Sequence, residues 1–153
     1  MSLSTCLLIM FGGAVGTLMR YLISVFTTTA PHELPWSTIA INIAGSFIIG
    51  FFGTLTLSNG RFPVSENVRL LVMVGVCGGF TTFSSFSLQT YELLRKGCVV
   101  RAGINAIASV VLCICAVALG HRVGAHFNRN AVEVAQISTE EEASFTPSHR
   151  TKG

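Results

Sequence analysis

Gly75-Val76-Cys77-Gly78-Gly79-Phe80-Thr81-Thr82-Phe83-Ser84-Ser85-Phe86-Ser87 lies within an apolar stretch long enough to cross a bilayer, where a spanning helix is ordinarily uniform. Its thirteen residues hold three glycines, two threonines, three serines and three phenylalanines. Glycine weakens a helix and hydroxyl side chains compete for its backbone groups, so the stretch predicts a helix loosened at membrane depth. Lipid tolerates no unpaired carbonyl or hydroxyl, and such backbone must be buried in protein or line a passage.

Working outward, the 153 residues are 50% hydrophobic and only 11% charged, which suits a chain whose solvent is the bilayer. A crossing helix needs about 20 apolar residues. Four runs meet that length: Leu3 to Phe26, Trp36 to Leu57, Val68 to Leu94 and Val99 to Gly120. The expectation is an all-α, multi-pass protein of the plasma (inner) membrane, with four transmembrane helices and a break in the third. The first run has no basic residue ahead of it and exceeds a signal-peptide core, so it reads as a retained helix. Connectors carry breaker chemistry at Pro31, Pro35, Asn59-Gly60, Pro63 and Arg95-Lys96-Gly97. Residues 1–127 thus form a transmembrane domain, and 128–153, with Glu140-Glu141-Glu142 and Pro147, read as a polar, disordered tail.

A net charge of +3 does not point to nucleic acid, because the ten basic residues are spread over the connectors and tail. Basic residues near helix ends set orientation. With a cytoplasmic N-terminus, Arg61, Arg69, Arg122 and Arg129 lie inside; Arg20, Arg95, Lys96 and Arg101 lie outside, four against four. A chain with no orientation bias can insert both ways and pair antiparallel with a second copy.

Ionisable residues inside spans are expensive and mark function. Aspartate is absent, and the one acidic residue within a span is Glu92, at the far end of the third. Arg20 follows Gly12 and Gly16 on one face of the first helix; it is either a snorkelling end residue or a fixed charge drawing anions to a vestibule. The two glycines make a small-residue face for helix contact. Thr38, Asn42, Ser46 and Gly50 recur every four residues on the second span, and Asn105 and Ser109 repeat that spacing on the fourth. Asn42 can serve an interhelical hydrogen bond or a passing anion. Phe83 and Phe86 share a face with Ser84, Ser85 and Ser87 beside them; ring edges are electropositive and can contact an anion without trapping it. Carbonyls freed near Gly78, Gly79 and Thr81 would instead suit a hard cation such as Na⁺. The five cysteines read as small packing residues, and His121, His126 and His149 as solvated residues at or beyond the last helix end.

Three segments together resemble the Fluc (CrcB) family of fluoride channels: Gly12-Gly13-x-x-Gly16-x-x-x-Arg20, Asn42-Ile-Ala-Gly45-Ser46-Phe47-x-x-Gly50, and the stretch from Gly75 to Phe86. The resemblance covers roughly residues 1 to 127 and leaves the tail outside it. It implies an antiparallel, dual-topology homodimer that lets fluoride leave the cytoplasm passively through two pathways, each lined by both subunits. It also implies a structural Na⁺ at the dimer centre, held by the backbone carbonyls of Gly78 and Thr81 from each chain. Phe83 and Phe86 would offer edges to fluoride and Asn42 a donor. Ser84, Ser85 and Ser87 would belong to a polar track, Thr38 and Ser109 would lie near the vestibule, and Arg20 matches the family arginine. Asn105 stands where relatives often have a tyrosine of that track, and its carboxamide can still donate; Ser85 replaces a frequent threonine.

Two other classes compete with this reading. A proton-coupled small-solute exporter with four helices needs a carboxylate at membrane depth, and none stands there. A non-transporting assembly subunit would use its glycine faces only for packing. No nucleophile–base pair or metal-ligand cluster suggests an enzyme.

Overall fold

The computed structural model describes residues 2–27, 33–57 and 62–145, with side chains to residue 129. Two long helices come first, α1 (Leu3–Phe26) and α2 (Trp36–Leu55). The third span is built in pieces: α3 (Glu66–Arg69), a π-helical stretch Leu70–Val76, α4 (Cys77–Phe80), and α5 (Phe83–Arg95) after an interruption at Thr81-Thr82. Finally α6 runs Val99–Phe145. Four segments are long and apolar enough to cross a membrane, namely Leu3–Phe26, Trp36–Leu55, Glu66–Arg95 and Val99–Arg129. Among the described residues the protein is therefore all-helical with four such spans. The compositional boundary at 128 is not a backbone break, since α6 continues through it to Phe145; His149 lies outside the described residues.

Burial is inverted relative to a water-soluble bundle. Large apolar side chains such as Leu7, Phe11, Ile107 and Ile114 face outward, whereas Thr38, Thr54, Thr56, Asn105 and Ser109 are buried. In lipid, tails solvate the outer face as well as a core would, and association rests on close packing and interhelical hydrogen bonds. The helices accordingly pair through small residues, α1 against the third span and α2 against α6. A Cβ on Gly16 would overlap the Val76 carbonyl and lie 2.8 Å from the Phe80 nitrogen. Gly120 plays the same part in the other pair, against the Phe47 carbonyl and the Phe51 nitrogen. The glycine face expected on α1 is thus a backbone-to-backbone seam.

The break falls later than the glycines suggest. Gly78 and Gly79 remain helical within α4, Gly75 lies in the π-helical stretch, and it is Thr81 (φ −77°, ψ 157°) and Thr82 (φ −151°, ψ 112°) that turn extended. The reason is capping: Thr82 is the N-cap of α5, its hydroxyl accepting from the Ser85 N–H at 3.2 Å. The wide turn before it ends with the Cys77 N–H reaching the Val72 carbonyl five residues back.

The C-terminal end of α2 is held by its neighbours. Arg69 donates to the Gly53 carbonyl at 2.9 Å and to the Thr56 hydroxyl at 2.7 Å, and Asn128 donates to the Thr54 carbonyl at 2.9 Å. These satisfy carbonyls that a helix end leaves open, at its negative pole. Arg69→Met is expected to lower stability by about 2 kcal/mol, the range for charge-assisted bonds; a thermal melt followed by size-exclusion chromatography measures it. His121 is not simply a solvated end residue: its Nδ1 lies 2.7 Å from the Thr54 hydroxyl. Because that hydroxyl donates to the Gly50 carbonyl at 2.8 Å, the imidazole is the donor between them.

Candidate functional site

Two cavities flank the break. The first, of about 320 Å³, is lined by Asn42, Gly45 and Ser46 of α2, by Cys77, Gly78, Thr81, Thr82, Phe83 and Phe86 of the third span, and by Ser109, Val110 and Cys113 of α6, among others. The second, of about 440 Å³, is lined by Arg20 and Ser24 of α1, Ser37 and Thr38 of α2, and Thr82, Ser85 and Gln89. Thr82 borders both. It is the wall between them.

That wall is pinned by one side chain. Asn42 accepts from the Thr82 N–H at 2.8 Å and donates to the Thr82 carbonyl at 3.1 Å, so a single carboxamide satisfies both backbone groups of an extended residue at membrane depth. The interhelical alternative for Asn42 is realised, and its second N–H and remaining lone pair stay available beside the first cavity. On the other side, Arg20 Nε donates to the Gly79 carbonyl at 3.2 Å, with the Thr17 hydroxyl at 3.5 Å. Arg20 therefore holds the break as well as lining the second cavity.

These caps leave two carbonyls relieved of their usual donors. In a continuous helix the Thr82 N–H would bond Gly78 and the Ser85 N–H would bond Thr81. Here the first goes to Asn42 and the second to the Thr82 hydroxyl. Gly78 and Thr81 both line the first cavity.

Phe83 and Phe86 form a tilted pair, ring centroids 5.4 Å apart and planes at 47°. Phe83 is 77% exposed on the single chain. Among the described residues neither cavity is lined by a carboxylate, and Arg20 is the one formally charged side chain lining either. An anion entering would meet hydroxyls, amide donors and ring edges, with a fixed positive charge on one side and no counter-ligand strong enough to hold it.

The structure gathers Asn42, Gly78, Thr81, Phe83, Phe86 and Ser109 around the first cavity and Arg20, Thr38 and Ser85 around the second. It leaves others apart. Ser84 is exposed, and the exposed Ser87 donates to the Phe83 carbonyl of its own helix at 2.9 Å. Asn105 is 0% exposed and lines neither cavity; it donates to the Thr90 hydroxyl at 2.8 Å. Sequence reasoning missed Thr82, although a threonine three residues before Ser85 at a helix start is a recognisable cap. It also missed Gln89, whose buried Oε1 has no partner among the described residues, and Thr90, which no pattern singled out.

Residues 7–121 match the family model described as CrcB-like protein, Camphor Resistance (CrcB). The chain is 66% identical over 142 residues to a protein of Methylobacterium radiotolerans named fluoride-specific ion channel FluC, covering 93% of this chain and 99% of the relative. A protein of the same name from Gluconobacter oxydans is 60% identical over 144 residues, covering 94% of this chain and 100% of the relative. A third, from Methylocella silvestris, is 52% identical over 122 residues, with coverage of 79% and 93%.

Proposed function

The chain belongs to the CrcB family, and from that premise we propose that it is a fluoride-selective channel of the plasma membrane, releasing accumulated fluoride from the cytoplasm down its gradient. The observation that carries the mechanism is the first cavity: Asn42, Ser109 and the Phe83–Phe86 pair converge beside a pinned helix break, with no carboxylate among the lining residues. Fluoride is small and strongly hydrated, so it sheds water only where donors replace it stepwise. Amide and hydroxyl groups do so, while ring edges contribute weak contacts that let the ion leave. Arg20 raises the anion concentration at the second cavity, and Ser85 and Thr38 offer hydroxyls there. A proton-coupled exporter would need a carboxylate, and none is among the described residues lining either cavity.

Efflux from liposomes carrying the purified protein tests this directly. Fluoride should leave, chloride should stay, and the rate should persist with no pH gradient; efflux equal to that of empty vesicles sinks the reading. Phe83→Ile, which removes the ring while keeping an apolar side chain, should lower fluoride flux at least about tenfold with the assembly intact, on the scale of a lost aromatic contact. Unchanged flux would take Phe83 out of the pathway.

The working unit in this reading is an antiparallel homodimer. It is supported by the four-against-four basic residues at the helix ends and by Phe83, a residue 77% exposed on one chain beside an open cavity. Single cysteines at opposite membrane ends should crosslink between copies, and crosslinks only between like ends would overturn the arrangement. The carbonyls of Gly78 and Thr81, relieved of their helical donors, fit a hard monovalent cation, and Na⁺ held there would contribute a fixed charge joining the two copies. Replacing Na⁺ by N-methylglucamine during purification should weaken the dimer; an unaltered dimer would speak against the ion.

A further inference from the structure

Asn105 is the most deeply buried polar side chain described, at 0% exposure, and it borders neither cavity. It cannot touch an ion moving through them. Its bonds nevertheless lead to two residues that do border the first cavity, directly to Ser109 and through Thr90 to Phe86. The Asn105 amide N–H donates to the Thr90 hydroxyl at 2.8 Å, and Thr90 donates to the Phe86 carbonyl at 2.8 Å. A threonine has one proton, so its bond to Phe86 leaves the hydroxyl only an acceptor toward Asn105. The direction of the amide follows, and Asn105 Oδ1 turns along α6 to the Ser109 hydroxyl at 3.5 Å.

We propose that Asn105 is a positioning residue of the fluoride pathway, acting from behind the first cavity to set both the turn of α5 that carries Phe86 and the resting direction of the Ser109 proton. The proposal rests on the fluoride reading given above. The two arms differ in strength, and the difference has a use. At 2.8 Å the Thr90 arm is a firm tie between α6 and α5, whereas a 3.5 Å bond is at the limit of hydrogen-bond geometry. The Ser109 proton rests on Asn105 when no ion is near and turns to an arriving anion at little cost. Without the carboxamide, the hydroxyl falls back on the carbonyl of its own helix four residues earlier, as serines in spans do, and Phe86 loses its tie to α6.

A double-mutant cycle in the efflux assay separates this from direct ion contact. Thr90→Val should lower fluoride efflux about tenfold, the order of one buried hydrogen bond, and Asn105→Leu, which also frees Ser109, by at least as much; the double variant should match Asn105→Leu alone. An effect equal to the product of the two, or no effect of Asn105→Leu, would overturn the proposal. Fluorine NMR of 4-fluorophenylalanine at position 86 supplies a readout independent of transport: the resonance should move alike in Asn105→Leu and Thr90→Val, and stay in place in Ser84→Ala. If the native protein carries no fluoride, the fluoride reading fails while this resonance still decides the tie; a resonance unmoved by Asn105→Leu overturns it. Should Asn105→Leu not assemble, Thr90→Val leaves α6 unaltered and carries the same test at the ring.

Discussion

Asn42→Leu is expected to reduce fluoride efflux by at least about a hundredfold, because the leucine strands the N–H and carbonyl of Thr82 where an unsatisfied polar group costs several kcal/mol. Both groups bond only the Asn42 carboxamide in the hydrogen bonds described across the break, at 2.8 and 3.1 Å. The cheapest rescue for the backbone is to continue the helix, returning the Thr82 N–H to the Gly78 carbonyl. That closes the interruption, turns the Phe83–Phe86 pair relative to α4 and removes the wall between the cavities. Efflux is the measurement, with dimer recovery as control; native flux in Asn42→Leu would show that the carboxamide is dispensable. Asn42→Asp sharpens the point. It keeps an acceptor for the Thr82 N–H but loses the donor and places a negative charge beside an anion path, so it should also be severely impaired.

Gly16→Val is expected to eliminate folded protein. Any Cβ at this position runs into the Val76 carbonyl and comes within 2.8 Å of the Phe80 nitrogen. Both are backbone atoms of the neighbouring span, and neither can rotate away as a side chain would. Separating α1 from the third span by the width of a side chain would also draw Arg20 and Thr17 from the Gly79 carbonyl, so packing and the break fail together. Gly13→Ala is the internal control. A Cβ there meets nothing within 4 Å, although Gly13 is as helical as Gly16. Recovery of a monodisperse species in detergent should be lost for Gly16→Val and kept for Gly13→Ala; equal recovery would refute the seam.

The four spans were legible because lipid imposes a length and a composition that soluble folds do not, and Leu3–Phe26 agrees in the sequence and in the structure. The interrupted third span was legible for a related reason, since polar backbone at that depth needs a purpose. Its location was not. The expected break ran from Gly78 to Thr81, yet the helix continues through Gly78 and Gly79, with α1 backbone close against Gly75 and Gly79. It yields at Thr81-Thr82, where Asn42, forty positions away in the chain, supplies the bonds the helix gives up.

The same division runs through the site. Residue types alone marked an anion path of donors and ring edges without a carboxylate, and the stretch from Gly75 to Ser87 announced that a helix would be interrupted. Which donors face a cavity depends on helix rotation and on where each proton is already bonded. Only the tertiary structure turned Asn105 away from both cavities, directed Ser87 back to its own helix and made Thr82 the wall between them. A hydrogen bond needs two partners, and sequence spacing names just one of them.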